Sequence, residues 1–323
     1  MKTITKIAIG LSLIALFVLP IATQYAAAQS DEIGVKDGVD AITISTNFIT
    51  MKIKAGKPHF VWWNGNQSTA DEMYNVQFTT LQEYFGDDEI LDSRSELMGG
   101  LSYNLVTSEW SYEIEEENHH VQVTLILELA NEAELQFIVH IYTEDQPIIG
   151  TDQFVEALTE VKFDIIIDNW TFTPGAQGIA IKSQILESQK RNRVQIRSGT
   201  ESENGNATRS MLFESKEHKN TVVAYLEWAE FADVFDGENK IDTIDVGQSS
   251  LDEGYAVVGP GVEDPSMIHL WFTYQNYGDS YTLVHDPSIG VYPEAFNLPL
   301  YVAPIIGGLV ATVIVVGIVR KRK

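Results

Sequence analysis

From Ile42 to Val284 the chain is cut into short runs in which apolar and polar residues alternate, and a two-residue period commits a chain to β-structure. Ile42-Thr43-Ile44-Ser45-Thr46 alternates, as does Met51-Lys52-Ile53-Lys54, and a Gly56-Lys57-Pro58 turn leads into His59-Phe60-Val61-Trp62-Trp63. Further strands are expected over Tyr74 to Phe85, Leu101 to Glu116, Val121 to Leu129, Glu134 to Tyr142, Val161 to Phe172 and Gly178 to Glu187. The series continues through Arg193 to Arg197, Thr221 to Trp228, Tyr255 to Val258, Met267 to Tyr274 and Ser280 to Val284. Most of these runs are rich in β-branched and aromatic residues and are bounded by Gly, Asn, Asp or Pro. Ala130-Asn131-Glu132-Ala133 reads as a tight link, which makes Val121 to Tyr142 a hairpin. No long stretch carries a helical stripe; Thr151 to Thr159 is the one short helix expected.

Many strands joined by short turns point to an all-β fold, a large antiparallel β-sandwich. Two arrangements compete: one large domain, or two sandwiches split near Gln146-Pro147-Ile148-Ile149-Gly150. With no linker between the halves and no repeat period, the single domain is preferred.

The two ends read differently. Met1 to Lys6 carries two lysines, Ile7 to Ala22 is apolar, and Ala26 and Ala28 occupy the small positions a signal peptidase requires. Residues 1–28 are therefore read as a cleaved signal peptide, with an uncleaved anchor as the alternative. Leu298 to Val319 holds no charged side chain, and at about 1.5 Å per residue a helix of that length reaches roughly 33 Å, enough to cross a hydrocarbon core. The basic tail Arg320 to Lys323 belongs on the cytoplasmic side. This gives a type I single-pass layout: a cell-surface ectodomain over 29–285, a stalk over 286–297, one transmembrane helix over 298–319, and a tail over 320–323. Ala303, Gly307 and Ala311 recur every four residues along that helix, a stripe through which two copies could pair as a homodimer.

Charge and cysteine content narrow the function. Outside the signal and tail there are 46 acidic residues against 15 basic ones, a formal charge near −31. Such a field repels nucleic acid and suits a solvated cell exterior. The absence of cysteine removes thiol catalysis and cysteine-bound metal, and fits a prokaryotic surface better than an animal one.

Three stretches carry a resemblance. Tyr74-Asn75-Val76-Gln77-Phe78 followed by Leu81-Gln82-Glu83-Tyr84, Lys162-Phe163-Asp164-Ile165-Ile166-Ile167-Asp168-Asn169-Trp170, and Leu283-Val284-His285-Asp286-Pro287-Ser288-Ile289-Gly290-Val291 resemble patches of uncharacterised archaeal single-pass cell-surface proteins. The likeness covers these patches and the overall layout. It implies an exported β-rich chain ending in a membrane helix, and it brings no catalytic motif.

Several constellations are candidates for chemistry. None of the seven histidines makes H-E-x-x-H. His119 and His120 belong to a hairpin loop, and His285-Asp286 lacks a nucleophile elbow to serve. Acidic loops at Asp87-Asp88-Glu89 and at Asp233, Asp236, Glu238, Asp242 and Asp245 have the oxygen donors calcium takes, without the EF-hand spacing. Lys190, Arg191, Arg193 and Arg197 form the one basic cluster. Residues 191, 193 and 197 share a face of a strand, where Glu113, Glu115 and Glu117 of a neighbouring strand could meet them; the alternative is docking of an acidic glycan or of a second copy. Of Trp62 and Trp63, adjacent on a strand, one points inward and the other outward, where it could stack on a sugar. Sequons at Asn66, Asn169 and Asn206 are candidate glycosylation sites.

The expectation that follows is a non-enzymatic surface protein whose acidic domain binds or packs at the envelope. The alternatives are a calcium-assisted carbohydrate-binding module and an extracellular glycoside hydrolase working through two carboxylates.

Overall fold

The alternating runs become strands because each buries every second side chain. The computed structural model describes residues 33–54, 56–65, 73–86, 91–147, 154–187, 192–198, 208–215, 221–248 and 268–292. Among them the chain is all-β, and its helical content is two 3₁₀ turns at Arg94–Leu97 and Ala130–Glu132. In chain order the strands are β1 (Gly34–Asp37), β2 (Ala41–Ser45), β3 (Ile49–Lys54), β4 (His59–Asn64), β5 (Tyr74–Tyr84), β6 (Ser102–Asn104) and β7 (Ser111–Glu117). Then come β8 (His120–Glu128), β9 (Glu134–Tyr142), β10 (Gln146–Pro147), β11 (Phe154–Val155), β12 (Glu160–Asp168), β13 (Gly178–Glu187) and β14 (Asn192–Ser198). The last are β15 (Thr208–Ser215), β16 (Val222–Ala229), β17 (Phe231–Asp236), β18 (Asn239–Gln248), β19 (Ile268–Gln275), β20 (Thr282–His285) and β21 (Pro287–Val291).

All described pairings are antiparallel. Nineteen strands join one sheet, and β10 and β11 pair separately. Hydrogen bonding divides the large sheet into two arrays. In the first, β1-β2-β3-β4-β5-β13-β19 follow one another, with β6 beside the far end of β5. In the second, β7-β8-β9-β12 lead to β20 and β21, which share one side of β12. From there β20 meets β17, while β21 leads on to β16, β15 and β14. Strand β18 joins the arrays, pairing with β17 early in its length and with β19 through Val246, Gly247 and Gln248. The β17–β18 hairpin turns at Gly237, whose φ of 60° suits a residue without Cβ.

The apolar faces of the two arrays meet. Phe60 stacks on Phe163 at 5.3 Å and 23°, and Phe78 lies 4.7 Å from Phe137. Trp62 and Tyr74 crowd Phe213, and Trp228 meets Phe272 edge-on at 5.5 Å. The Trp62 indole N–H, fully buried, donates to the Gly290 carbonyl at 3.2 Å across the same gap. Each such ring removed from water contributes about 1.5–3 kcal/mol, so the contact between the arrays is where stability concentrates.

Three expectations need correction. The run Leu101 to Glu116 is two strands, because the Asn104 side chain accepts from the Val106 and Thr107 amides and turns the chain. Thr151 to Thr159 is not a helix where it is described: Phe154–Val155 is strand, a turn follows, and Leu158 has φ 62°. The stretch from Asp286 does not begin a stalk, since Pro287–Val291 is a fully buried strand held between β12 and β16. Strand pairings cross the stretch Gln146 to Gly150, where the less favoured two-domain arrangement would divide the chain: β5 pairs with β13 and β9 with β12. The expected hairpin is present as β8 and β9, with Val121 opposite Ile141. No helix among the described residues is long and apolar enough to cross a membrane. The signal segment, the apolar run Leu298 to Val319 with Ala303, Gly307 and Ala311, and the expected strand Tyr255 to Val258 lie outside the described residues.

Candidate functional site

A strip of titratable side chains crosses the outward face of the second array. On β12, Val161, Phe163, Ile165 and Ile167 point into the core, so Glu160, Lys162 and Asp164 point out. Register then sets their neighbours. Lys162 lies opposite His140 of β9 on one side and Ser288 of β21 on the other. His120 of β8 lies opposite Tyr142, and Glu227 of β16 lies opposite Ser288. Asp286 occupies the break between β20 and β21.

These groups form a connected chain. His120 Nε2 and His140 Nδ1 are 2.9 Å apart, and His140 Nε2 is 3.3 Å from Asp164 Oδ2. A carboxylate only accepts, so the proton of the Asp164 bond sits on His140 Nε2; with His140 neutral, its Nδ1 is then the acceptor for His120. Lys162 Nζ then bridges Asp164 Oδ1 at 2.5 Å and Asp286 Oδ1 at 3.5 Å. The rings of His120 and Tyr142 stack at 4.5 Å and 9°, with His140 parallel beside them.

Charge and burial set the proton affinities. Burial lifts the Asp286 carboxyl to about 6, and the neighbouring Asp164 charge adds to that. Burial also pushes Asp164 up, but the His140 hydrogen bond and the Lys162 charge outweigh it and hold Asp164 below its usual range. Lys162 is raised: burial works against its charge, and Asp286 and Asp164 overcome that. His120 is lowered, first by burial and then by His140.

A second acidic group adjoins this chain. Glu160, almost fully buried, accepts from the Glu156 amide at 2.9 Å and is bonded by the Ser288 and Tyr225 hydroxyls. Its proton affinity is raised by burial. Glu227 is pushed up to about 7, by burial and then by the Glu160 charge. Gly290 makes room for this arrangement. A Cβ there would fall 2.3 Å from the Tyr225 ring, so only a residue without one lets the tyrosine lie across β21. Chemically, the strip offers a carboxylate held below its usual range (Asp164) next to Asp286, which is pushed up toward neutral pH, and a second raised acid, Glu227, next to Glu160.

The residues singled out in the sequence fall elsewhere. Asp233 Oδ1 binds Lys240 Nζ at 2.7 Å and accepts from the Thr243 hydroxyl at 3.1 Å. Asp242 lies opposite Val234, on the other face, and caps the Thr243 amide, while Asp236 and Glu238 sit at the exposed turn. No three of the described His, Asp or Glu side chains gather as a cation would require. The Asp87-Asp88-Glu89 loop, Arg191, Asn66 and Asn206 lie outside the described residues.

Arg193 and Arg197 are on β14, whose described partner is β15, with Arg193 opposite Glu214. Glu113, Glu115 and Glu117 are on β7 at the opposite limit of the array, so the cross-strand pairing expected between these groups is not made. Trp62 and Trp63 are both buried, at 0% and 1% exposure. The second corrects the expectation of an open outward ring, since the Lys52 ammonium lies 5.1 Å over it. Asn169 follows β12 at φ 53°, and its side-chain amide nitrogen donates to the Glu132 carbonyl at 3.1 Å. His119 is in the β7–β8 turn, exposed, while His120 belongs to the strip. His285 is fully buried, bonded to the Tyr274 hydroxyl and the Ala229 carbonyl, and burial lowers it to about 4.

Sequence reasoning missed the strip. Its signal was present as Glu160-x-Lys162-x-Asp164 interleaved with core residues, but its partners come from four other strands.

By fold and site this is an all-β protein with a self-paired acid–histidine–lysine strip on one sheet face. No protein-family model matches the chain, and no curated protein matches it.

Proposed function

We propose that this chain is a type I, single-pass, membrane-anchored cell-surface protein whose acidic β-sandwich binds or packs at the cell envelope without catalysing a reaction. The two arrays, with rings interleaved between them, would be the two leaves of that sandwich. The observation that carries the reading is the order of segments: an export-like leader, an acidic β-body, 22 uncharged residues from Leu298 to Val319, and four basic residues. The pairing of the strip's charges with one another supports a role in holding the face together. The likeness to archaeal surface proteins, and glycans at accessible sequons, belong to the same proposal.

Protease applied to intact cells producing the full chain is the test. Cleavage of the β-body outside, with a membrane-retained fragment that resists alkaline extraction, is expected. Recovery of the intact chain in the cytosol overturns it.

One observation favours a second reading, the carboxylate-dependent glycoside hydrolase: Asp286 at about 6 next to Asp164, which is held below its usual range, with Glu227 at about 7 further along the same face. That reading requires hydrolysis of aryl glycosides by the purified chain and its loss in Glu227→Gln or Asp286→Asn. The calcium-assisted sugar-binding alternative has less support, since Trp63 is covered by Lys52 and Asp233 is paired with Lys240.

A further inference from the structure

The break between β20 and β21 brings one amine and two carboxyl groups together beside a gap in the ladder. Strand β12 pairs with β20 through Ile165, Ile166 and Ile167, and with β21 through Glu160, Val161 and Lys162. Phe163 and Asp164, between these two stretches, have no ladder partner on that side, and Asp286 lies in the matching break of the neighbouring strand. Lys162 Nζ is 2.5 Å from Asp164 Oδ1 and 3.5 Å from Asp286 Oδ1. That Asp286 oxygen is buried and accepts no hydrogen bond, so its carboxyl group stands next to the amine without being tied by it. The Lys162 and Asp164 side chains are each 17% exposed, which keeps most bulk water from the amine.

We propose that Lys162 and Asp286 condense into an amide, an isopeptide cross-link that staples β12 to the start of β21, with Asp164 as the proton acceptor. The step is a loss of water and needs neither oxidant nor cofactor. Asp286 enters as the neutral acid and Lys162 as the ammonium ion. Asp164 takes one proton from the ammonium, and the freed amine attacks the carboxyl carbon of Asp286. The new N–C bond forms as the C–O bond to the Asp286 hydroxyl breaks. That hydroxyl leaves as water, carrying the second amine proton. Asp164 then releases its proton to solvent and is a carboxylate again.

The surroundings select Asp286 as the carboxyl consumed. Burial and the Asp164 charge favour its neutral form, which an amine can attack, whereas a carboxylate such as Asp164 resists attack. Asp164 is also held in place from behind by His140 Nε2 at 3.3 Å. The fold holds amine and acid together, which removes the entropic cost of their meeting, and the amide replaces charged groups that are costly to keep half-buried. The bond needs only the folded β-body and forms whether or not the chain is anchored, so the protease experiment and the one below fail independently.

The full-length chain is purified, denatured, digested and analysed by tandem mass spectrometry. The expected product is a branched peptide joining the Lys162 and Asp286 segments, lighter than the two linear peptides together by one water. It should be absent from Lys162→Arg and from Asp286→Ala. In Asp164→Asn, checked for strand content by circular dichroism, its yield should fall by about tenfold or more. The parent chain alone decides the matter even where a variant does not fold. Recovery of Lys162 and Asp286 only in linear peptides from the parent overturns the proposal. A parent-like yield of the branch in Asp164→Asn overturns the role given to Asp164.

Discussion

His285 and Asp286 are neighbours in the chain and opposites in environment: one faces the core, the other the titratable strip. Their effects on stability have opposite signs. His285 is lowered to about 4 in the fold, so its neutral form is the folded one. Its contribution is present above the unfolded value near 6.5 and is lost as pH falls toward 4, a loss of about 3 kcal/mol. His285→Phe removes this acid sensitivity, and it also removes the ring's hydrogen bonds with the Ala229 carbonyl and the Tyr274 hydroxyl, costing about 2 kcal/mol at pH 8. Urea denaturation at pH 5 and 8 reads both effects. Glu227 behaves in the other direction. Its folded value of about 7 lies above that of an ordinary glutamate, so stability is greatest below about 4.5 and declines as pH rises through 7. Glu227→Gln should add about 1–2 kcal/mol at pH 8, after screening at this partly open position, and nothing at pH 4. At Gly290, alanine would push a methyl into the Tyr225 ring, and a loss of about 1–3 kcal/mol is expected from thermal melts.

At the scale of the element, the strand interiors were legible and their limits less so. Gly178 to Glu187 was readable to the residue, because glycine opens the run and apolar residues recur within it. Leu101 to Glu116 was misjudged, because the interruption depends on a side chain: Asn104 accepting two backbone amides. Asn104→Ala should therefore cost about 1 kcal/mol in chemical denaturation. Strands β1, β10, β15, β17, β18 and β21 were not anticipated. In Asn239–Gln248 exposed residues outnumber buried ones, and Pro287–Val291 is buried throughout, so neither shows a two-residue rhythm. The strip was illegible for another reason. Its residues are spread over five stretches between His120 and Ser288, and what brings them together is register, a non-local property. The tryptophan pair misled because alternation predicts direction and not cover; a lysine from β3 supplies the cover.

At the scale of the molecule, stability rests on the meeting of the two arrays. Phe163 stacks on Phe60 and borders Phe78, so Phe163→Ala should cost about 3–5 kcal/mol and lower the denaturation midpoint of the whole β-body in a single transition. The position of β21 has a mechanical consequence. It is the last described strand before the apolar run, and it is clamped by β12 on one side and β16 on the other. In a chain held at its C-terminal end, a pull on the outer body would load this strand along its length. Its hydrogen bonds to both neighbours would have to shear together instead of unzipping one at a time, which makes the point of attachment a strong grip.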